Sequence, residues 1–474
     1  MKRCSFLKKA ISAVITFAML ITALALPTEA AASIESAEKA VKAINAGWNL
    51  GNCLDSCGEW IGLYTDGKPS SYETAWGNPV ASKKLITTVK TAGFNAVRVP
   101  VTWAEHIDDN GNIDKEWLDR VYEVVDYVLS QDMYCILNVH HDAGSDGWLE
   151  ASADCYKKNS KKFAALWKNI AVRFKNCGGN LIFEGFNEML DSQNSWTDAR
   201  TSDAYKAVNN FNQLFVDTVR KTGGNNAERN LMVQVYSGSC SEKALAGFVL
   251  PKDTAKNHLI IQTHNYDPQE FTMSDATWAK MTDKWGTDSE KAYFNKLFER
   301  LSSFAEKQGA PLIVGEFGAD FKDNNSSRKL YAECFVNTAA KYGIKCFWWD
   351  TGKMALFDRE KCTVTHSEIV KALTNNSTSE QPSNKTEKLP SPKVSAKKTS
   401  SKITLKWNSI EGAYCYRIYE YDSEKGKYVR IKTVKSTSCT IKQTEASNRK
   451  FILCAVSKTN SGYKNGDFSK AVKI

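Results

Sequence analysis

Two short segments, Glu184-Gly185-Phe186-Asn187-Glu188 and Ile313-Val314-Gly315-Glu316-Phe317-Gly318, each set a glutamate at the C-terminal end of an apolar run that reads as a buried strand. Two carboxylates brought together from distant parts of a chain are the minimum equipment for splitting a glycosidic bond. One protonates the leaving oxygen and the other attacks the sugar. The two glutamates are 128 residues apart (316 − 188), so a large scaffold must fold between them.

Other polar residues close apolar runs in the same manner. Arg98 ends one, His140 and His141 another, Asn187 and Glu188 a third, His264 and Tyr266 a fourth, Glu316 a fifth and Trp349 a sixth. Taken singly, a strand-end arginine pairs a surface acid and a lone histidine is a satisfied core residue. Their convergence at successive strand ends points instead to a site. Neighbouring strand residues face opposite sides, so His140 and His141 need not share a cleft, and a metal reading of His140-His141-Asp142 is weak.

The elements that must position these residues alternate. Strand-like runs fall at Ala46–Leu50, Ala96–Pro100, Tyr134–His140, Leu181–Asn187, Leu231–Tyr236, Leu259–Asn265, Pro311–Glu316 and Ile344–Trp349. Amphipathic helical stretches lie between them at Lys115–Ser130, Ser160–Phe174, Tyr205–Arg220, Tyr293–Lys307 and Lys329–Lys341. Eight strands alternating with helices predict an α/β fold, a TIM (β/α)8 barrel. A doubly wound open sheet is the alternative, but no G-x-G-x-x-G turn follows the first strand.

The chain of 474 residues, 42% hydrophobic, exceeds the usual span of one domain. Residues 1–32 read as a secretory signal: Lys2, Arg3, Lys8 and Lys9 precede the apolar run Ala10–Leu26, and Ala30-Ala31-Ala32 offers a cleavage site. A membrane anchor is the alternative, but the run is short for spanning, and the mature protein is expected to be exported and free of the membrane. The catalytic barrel is assigned to 33–373. Residues 374–392, polar and interrupted by proline, read as a linker. Period-two alternation in Ile403–Trp407 and Lys450–Val456, with Tyr416–Tyr419 between, predicts a small all-β sandwich over 393–474.

Charge is uneven. From Thr374 onward there are 20 Lys and Arg against 8 Asp and Glu, whereas residues 33–373 carry 39 against 44. The basic tail would suit an anionic polymer or cell surface, but its lysines are scattered along apparent strands as on a solvated face, and without a recognised module nucleic-acid binding is not expected. Of 13 cysteines, one leaves with the signal, nine lie between Cys53 and Cys362 and three in the tail. The odd numbers exclude a complete disulfide framework within either domain and predict mostly free, buried thiols.

The barrel resembles glycoside hydrolase family 5, especially its bacterial endoglucanases. The motifs that carry the resemblance are Gly47-Trp48-Asn49-Leu50-Gly51-Asn52, Asn95-Ala96-Val97-Arg98-Val99-Pro100, Leu137-Asn138-Val139-His140-His141, Phe186-Asn187-Glu188, His264-Asn265-Tyr266, Gly315-Glu316-Phe317-Gly318 and Phe347-Trp348-Trp349-Asp350. The tail resembles a fibronectin type III module, with Trp407 as the early-strand tryptophan. The resemblance implies a retaining double displacement with Glu188 as acid/base and Glu316 as nucleophile. Glu316 must then be ionised, with support expected from Arg98 and Tyr266, and Glu188 must hold a proton. Asn187 would bond the sugar 2-hydroxyl, His140 and His264 would orient sugar or carboxylate, and Asn52 and Trp349 would hold the non-reducing side, while Trp348 would fill the core. About a third of the loop tryptophans Trp60, Trp76, Trp103, Trp148, Trp196, Trp278 and Trp285 are expected as sugar platforms along an open cleft.

No cofactor or metal is required. The expected partner is a β-1,4-glucan, with mannan, xylan and xyloglucan as alternatives because loops select the sugar while the barrel fixes the reaction. A non-catalytic carbohydrate-binding or adhesion protein is the alternative from another class, and retention of both glutamates with their polar surroundings argues against it. The tail is expected to act as a spacer, and no calcium-loop repeat of the dockerin kind is present.

Overall fold

The computed structural model describes residues 34–375 and 389–474, apart from positions 276, 279, 411, 424, 445–448 and 460–461. The expected signal segment, and all of the expected linker except 374–375 and 389–392, lie outside the described residues. The chain divides into two units.

In the first unit eight parallel strands close into a barrel in sequence order: β1 Gly47–Leu50, β2 Ala96–Val99, β3 Tyr134–Asn138, β4 Leu181–Glu184, β5 Leu231–Gln234, β6 Leu259–His264, β7 Leu312–Phe317 and β8 Lys345–Asp350. This is the expected TIM barrel, and each strand overlaps its predicted run, although β3, β4 and β5 end two or three residues earlier, so that His140 and Asn187 stand just beyond their strands, and β7 and β8 reach one residue further. The long helices between them include Lys115–Leu129, Ala153–Arg173, Ser202–Lys221, Asp288–Gln308 and Asn325–Lys341, and the first four begin at side chains that cap free N–H groups. Asp114, Ser152 and Thr201 do so singly, and Thr287 with Glu290 forms a reciprocal capping box.

Side-chain alternation along the strands builds the interior in layers. The lower layer is apolar: Ala96, Ile136, Ile182, Met232, Ile260, Ile313 and Phe347 form one buried cluster. A short helix, Ala37–Ala43, closes the barrel's N-terminal end by packing Ala37, Ala40 and Val41 into that cluster. The hydrophobic pattern did not announce this element, because seven residues are too few to display helical periodicity. Two residues further along each of six strands the interior turns polar, with Asn49, Arg98, Asn138, Glu184, Gln234 and Gln262 all at 0% exposure.

The second unit has two antiparallel sheets. Val394–Lys398, Lys402–Trp407 and Ser438–Lys442 form one; Lys427–Val434, Cys415–Asp422, Lys450–Thr459, Gly462–Phe468 and Val472–Lys473 form the other. Ile403, Leu405, Trp407, Tyr416, Ile418, Phe451 and Leu453 fill the common core, against which Leu389 packs. The twelve cysteines among the described residues are free, and burial pushes the Cys57 thiol up to about 12. Among the described residues no helix is long and apolar enough to cross a membrane.

The lower layer tolerates little added volume. A Cβ on Gly47 would lie 2.3 Å from the Phe347 ring. Gly47→Ala is therefore expected to lower stability by about 1–3 kcal/mol, read by urea unfolding; an unchanged midpoint would show that Phe347 can move freely.

Candidate active site

The polar layer is organised around Arg98. Its guanidinium donates from Nε and Nη2 to the two oxygens of Glu184, both at 2.7 Å. Nη1 donates to Glu316 Oε1 at 2.6 Å and Asn49 Oδ1 at 3.1 Å, and Nη2 also reaches Asn187 Oδ1 at 2.9 Å. One buried cation thus ties strands β1, β2, β4 and β7 together. Asn49 Nδ2 in turn donates to the backbone carbonyls of Gly315, Phe347 and Trp348, and Asn138 Nδ2 donates to Glu184 at 3.0 Å and faces His140 Nδ1 at 3.0 Å.

Above this layer sit the expected carboxylates. Glu316 lies at the end of β7, where it also accepts from the Tyr266 hydroxyl at 3.0 Å. Burial pushes its carboxyl above the ordinary range, while His264 and Arg98 pull against that rise. The hydroxyl of Tyr266 stays a donor, because burial and then the charges of Glu316 and Glu188 raise it well above the usual phenol value. Glu188, four residues beyond Glu184, accepts at Oε1 from His264 Nδ1 at 2.7 Å, and carboxylate oxygens of Glu188 and Glu316 lie within 4.8 Å of each other. Burial lowers His264, but Glu316 and Glu188 outweigh it and raise the ring above its ordinary value.

A register shift makes this alignment possible. Thr263 pairs with Val314, but His264 pairs with Glu316, so Gly315 is an extra residue on β7. It must be small: a Cβ there would lie 2.6 Å from Gln262 Nε2 and 3.2 Å from His264 Nε2.

The remaining expected residues border the pair. His140 is buried and held neutral by burial, then by the nearby charge of His141 and Arg98; its ring stacks on Trp349 at 5.7 Å. His141 is half-buried, with its ring edge-on to His140 at 4.5 Å and beside Trp76, and with Nε2 at 3.9 Å from Asp55. Asn52 has a positive φ of 53° and its N–H donates to Asp55 Oδ2. Trp349 is half-buried across the Gly51 backbone, whereas Trp348 is fully buried with its N–H on the Met354 carbonyl. Among the loop tryptophans, Trp103 and Trp285 are core residues, Trp76 and Trp148 are half-buried, and Trp60, Trp196 and Trp278 are exposed.

Two triads bring possible metal ligands within 4.8 Å: Asp55 with His140 and His141, and Glu188 with His264 and Glu316. In the second the donors are spent on one another and on Arg98 and Tyr266, and carboxylate chemistry on a sugar needs no ion in either. A cavity of about 840 Å³ near Asn257, Leu312 and Ile344 opens at the strands' N-terminal ends, away from the carboxylates.

Sequence reasoning missed Asn49, Asn138, Glu184, Gln234 and Gln262 as members of this network. Asn49, Asn138 and Glu184 stood inside segments already singled out, and an inward polar residue in an apolar strand was the available signal.

A parallel eight-stranded barrel with a close carboxylate pair at the C-terminal ends of its strands defines the class of barrel glycosidases. The chain belongs to glycosyl hydrolase family 5, whose Cellulase model matches residues 57–355. It is 39% identical over 327 residues to endoglucanase A of Clostridium longisporum, covering 68% of this chain and 60% of that protein's length. A GH5-4 broad specificity endoglucanase from Ruminococcus champanellensis with bound cellotriose superposes with TM-score 0.67 at 37% identity, covering 72% of this chain and 99% of that one. A family 5 enzyme of Prevotella bryantii in complex with a xyloglucan tetradecasaccharide gives TM-score 0.66 at 35% identity, with 73% and 99% covered.

Removing Glu184 would leave Arg98 short of its bidentate partner. Glu184→Ala is expected to cost about 3–5 kcal/mol in urea unfolding; a loss below 1 kcal/mol would mean that Glu316 and the asparagines alone satisfy the guanidinium.

Proposed function

We propose that the chain is an exported endo-β-1,4-glucanase that cleaves internal bonds of cellulose and related β-glucans with retention of configuration. The observation that carries this reading is the carboxylate separation: oxygens of Glu188 and Glu316 lie within 4.8 Å of each other, in keeping with the roughly 5–5.5 Å of retaining pairs and short of the roughly 6.5–9.5 Å of inverting ones. Export rests on the sequence alone.

In this reading Glu316, aimed by Arg98 and Tyr266, attacks the anomeric carbon while Glu188 protonates the departing glycosidic oxygen. The glycosyl-enzyme ester neutralises Glu316, and Glu188, now anionic, draws a proton from water, which attacks the same carbon and releases Glu316. Asn187 has Oδ1 held by Arg98, which leaves its amide N–H groups for the sugar 2-hydroxyl. The half-buried face of Trp349 suits pyranose C–H groups. Xyloglucan is a second substrate supported by the complex of the Prevotella relative. The tail is read as a spacer.

Glu188→Ala and Glu316→Ala are each expected to lose at least 100-fold in activity on carboxymethyl cellulose and barley β-glucan, on the scale of about 10²–10⁴ for a positioned acid or base. Azide should rescue them with products of opposite anomeric configuration. Full activity in either variant would remove that glutamate from the mechanism, and cleavage of mannan in preference to glucan would overturn the substrate.

Tyr266→Phe carries a pH signature. The nucleophile acts as an anion, and the lost hydroxyl stabilised that anion, so the proton on Glu316 is held to higher pH. The acid limb of kcat/KM should move upward; a limb that stays in place would detach Tyr266 from Glu316 ionisation.

A further inference from the structure

Gln262 is a fully buried amide in the polar layer on β6, two residues before His264 and on the same face of the strand. Its Nε2 lies 2.6 Å from His264 Nε2. An amide nitrogen can only donate, so the imidazole must accept at Nε2, and its single proton then sits on Nδ1, directed at Glu188 Oε1 2.7 Å away. The Gln262 oxygen finds no partner, and the extra residue Gly315 lies against both Gln262 and His264 with no space for a side chain. A buried amide that leaves its own oxygen unsatisfied is costly to keep for packing alone.

Resting on the glycosidase reading above, we propose that Gln262 is a positioning residue that keeps His264 in its neutral, Nδ1-protonated form and so reserves the catalytic proton for Glu188. A doubly protonated ring would carry that proton itself and hold Glu188 as the anion, which cannot protonate a leaving oxygen. The charged and titratable groups around the ring pull in both directions. Glu188 from the loop after β4 and Glu316 from β7, 3.8 Å away, favour a second ring proton; Arg98 from β2 disfavours it, and the neutral His140 and Tyr266 flank the site. The Gln262 N–H is the donor that faces Nε2 directly and opposes protonation there.

The test compares wild type, Gln262→Leu, Gln262→Glu and Glu188→Gln on phenyl and 2,4-dinitrophenyl β-cellobiosides across pH, with thermal melting of each. The dinitrophenolate departs without a proton, and the phenolate needs more help. Gln262→Leu removes the donor and Gln262→Glu puts an acceptor in its place. Both should bring the basic limb of kcat/KM for the phenyl substrate down, by about one pH unit for Gln262→Glu, and lower the phenyl to dinitrophenyl rate ratio about 10-fold at neutral pH. Folded variants with unchanged limb and ratio would overturn the proposal, as would equal losses on both substrates. If Glu188→Gln itself leaves the ratio unchanged, the assignment of Glu188 as acid fails instead.

Discussion

A guanidinium with no exposure to water sits inside the barrel, and the rest of the site depends on its compensation. Isolated burial of such a charge costs far more than a domain's net stability. Arg98 is compensated by two carboxylates, Glu184 and Glu316, and by the side-chain oxygens of Asn49 and Asn187. Buried ion pairs of this kind are weak contributors to stability and strong constraints on geometry. Here the constraint acts on Glu316, whose Oε1 is taken by the arginine and whose Oε2 is taken by Tyr266, so the carboxylate has one orientation. Glu184 balances the charge that Glu316 would otherwise carry alone, which leaves the nucleophile candidate supported without being fully neutralised.

The layers explain why this is achieved on a barrel. Period-two alternation puts every second residue inward, and eight strands closed in order stack those residues in rings. An apolar ring holds the strands together below, a polar ring fixes orientations in the middle, and the groups that would meet substrate stand above. The alternation alone would place Gly315, not Glu316, opposite His264. The extra residue in β7 corrects the phase, which is why a glycine stands before the glutamate.

Much of this was legible in the sequence. The eight strands, the barrel and the gathering of Arg98, His140, Asn187, Glu188, His264, Tyr266, Glu316 and Trp349 at one end follow from apolar runs with polar endings, since that pattern depends on local alternation. His141 escapes that rule: β3 ends at Asn138, and beyond it the two histidine rings meet edge-on at 4.5 Å instead of facing opposite sides. What was not legible depends on contacts between strands. Glu184 and Gln262 read as isolated polar residues within apolar runs, and only closure of the barrel shows that one faces Arg98 and the other His264. Arg98 and Tyr266 contact Glu316 as expected, whereas the burial that works against its charge depends on the closed barrel and was not legible. The loop tryptophans divide into core, half-buried and exposed groups that composition cannot separate.

The central claim is that two carboxylates within 4.8 Å act by double displacement. The direct measurement is the anomeric configuration of the first product released from a cello-oligosaccharide, followed by proton NMR before mutarotation. The β-anomer appearing first is the predicted result; the α-anomer appearing first would contradict the account, because single displacement by water belongs to carboxylates set farther apart than these.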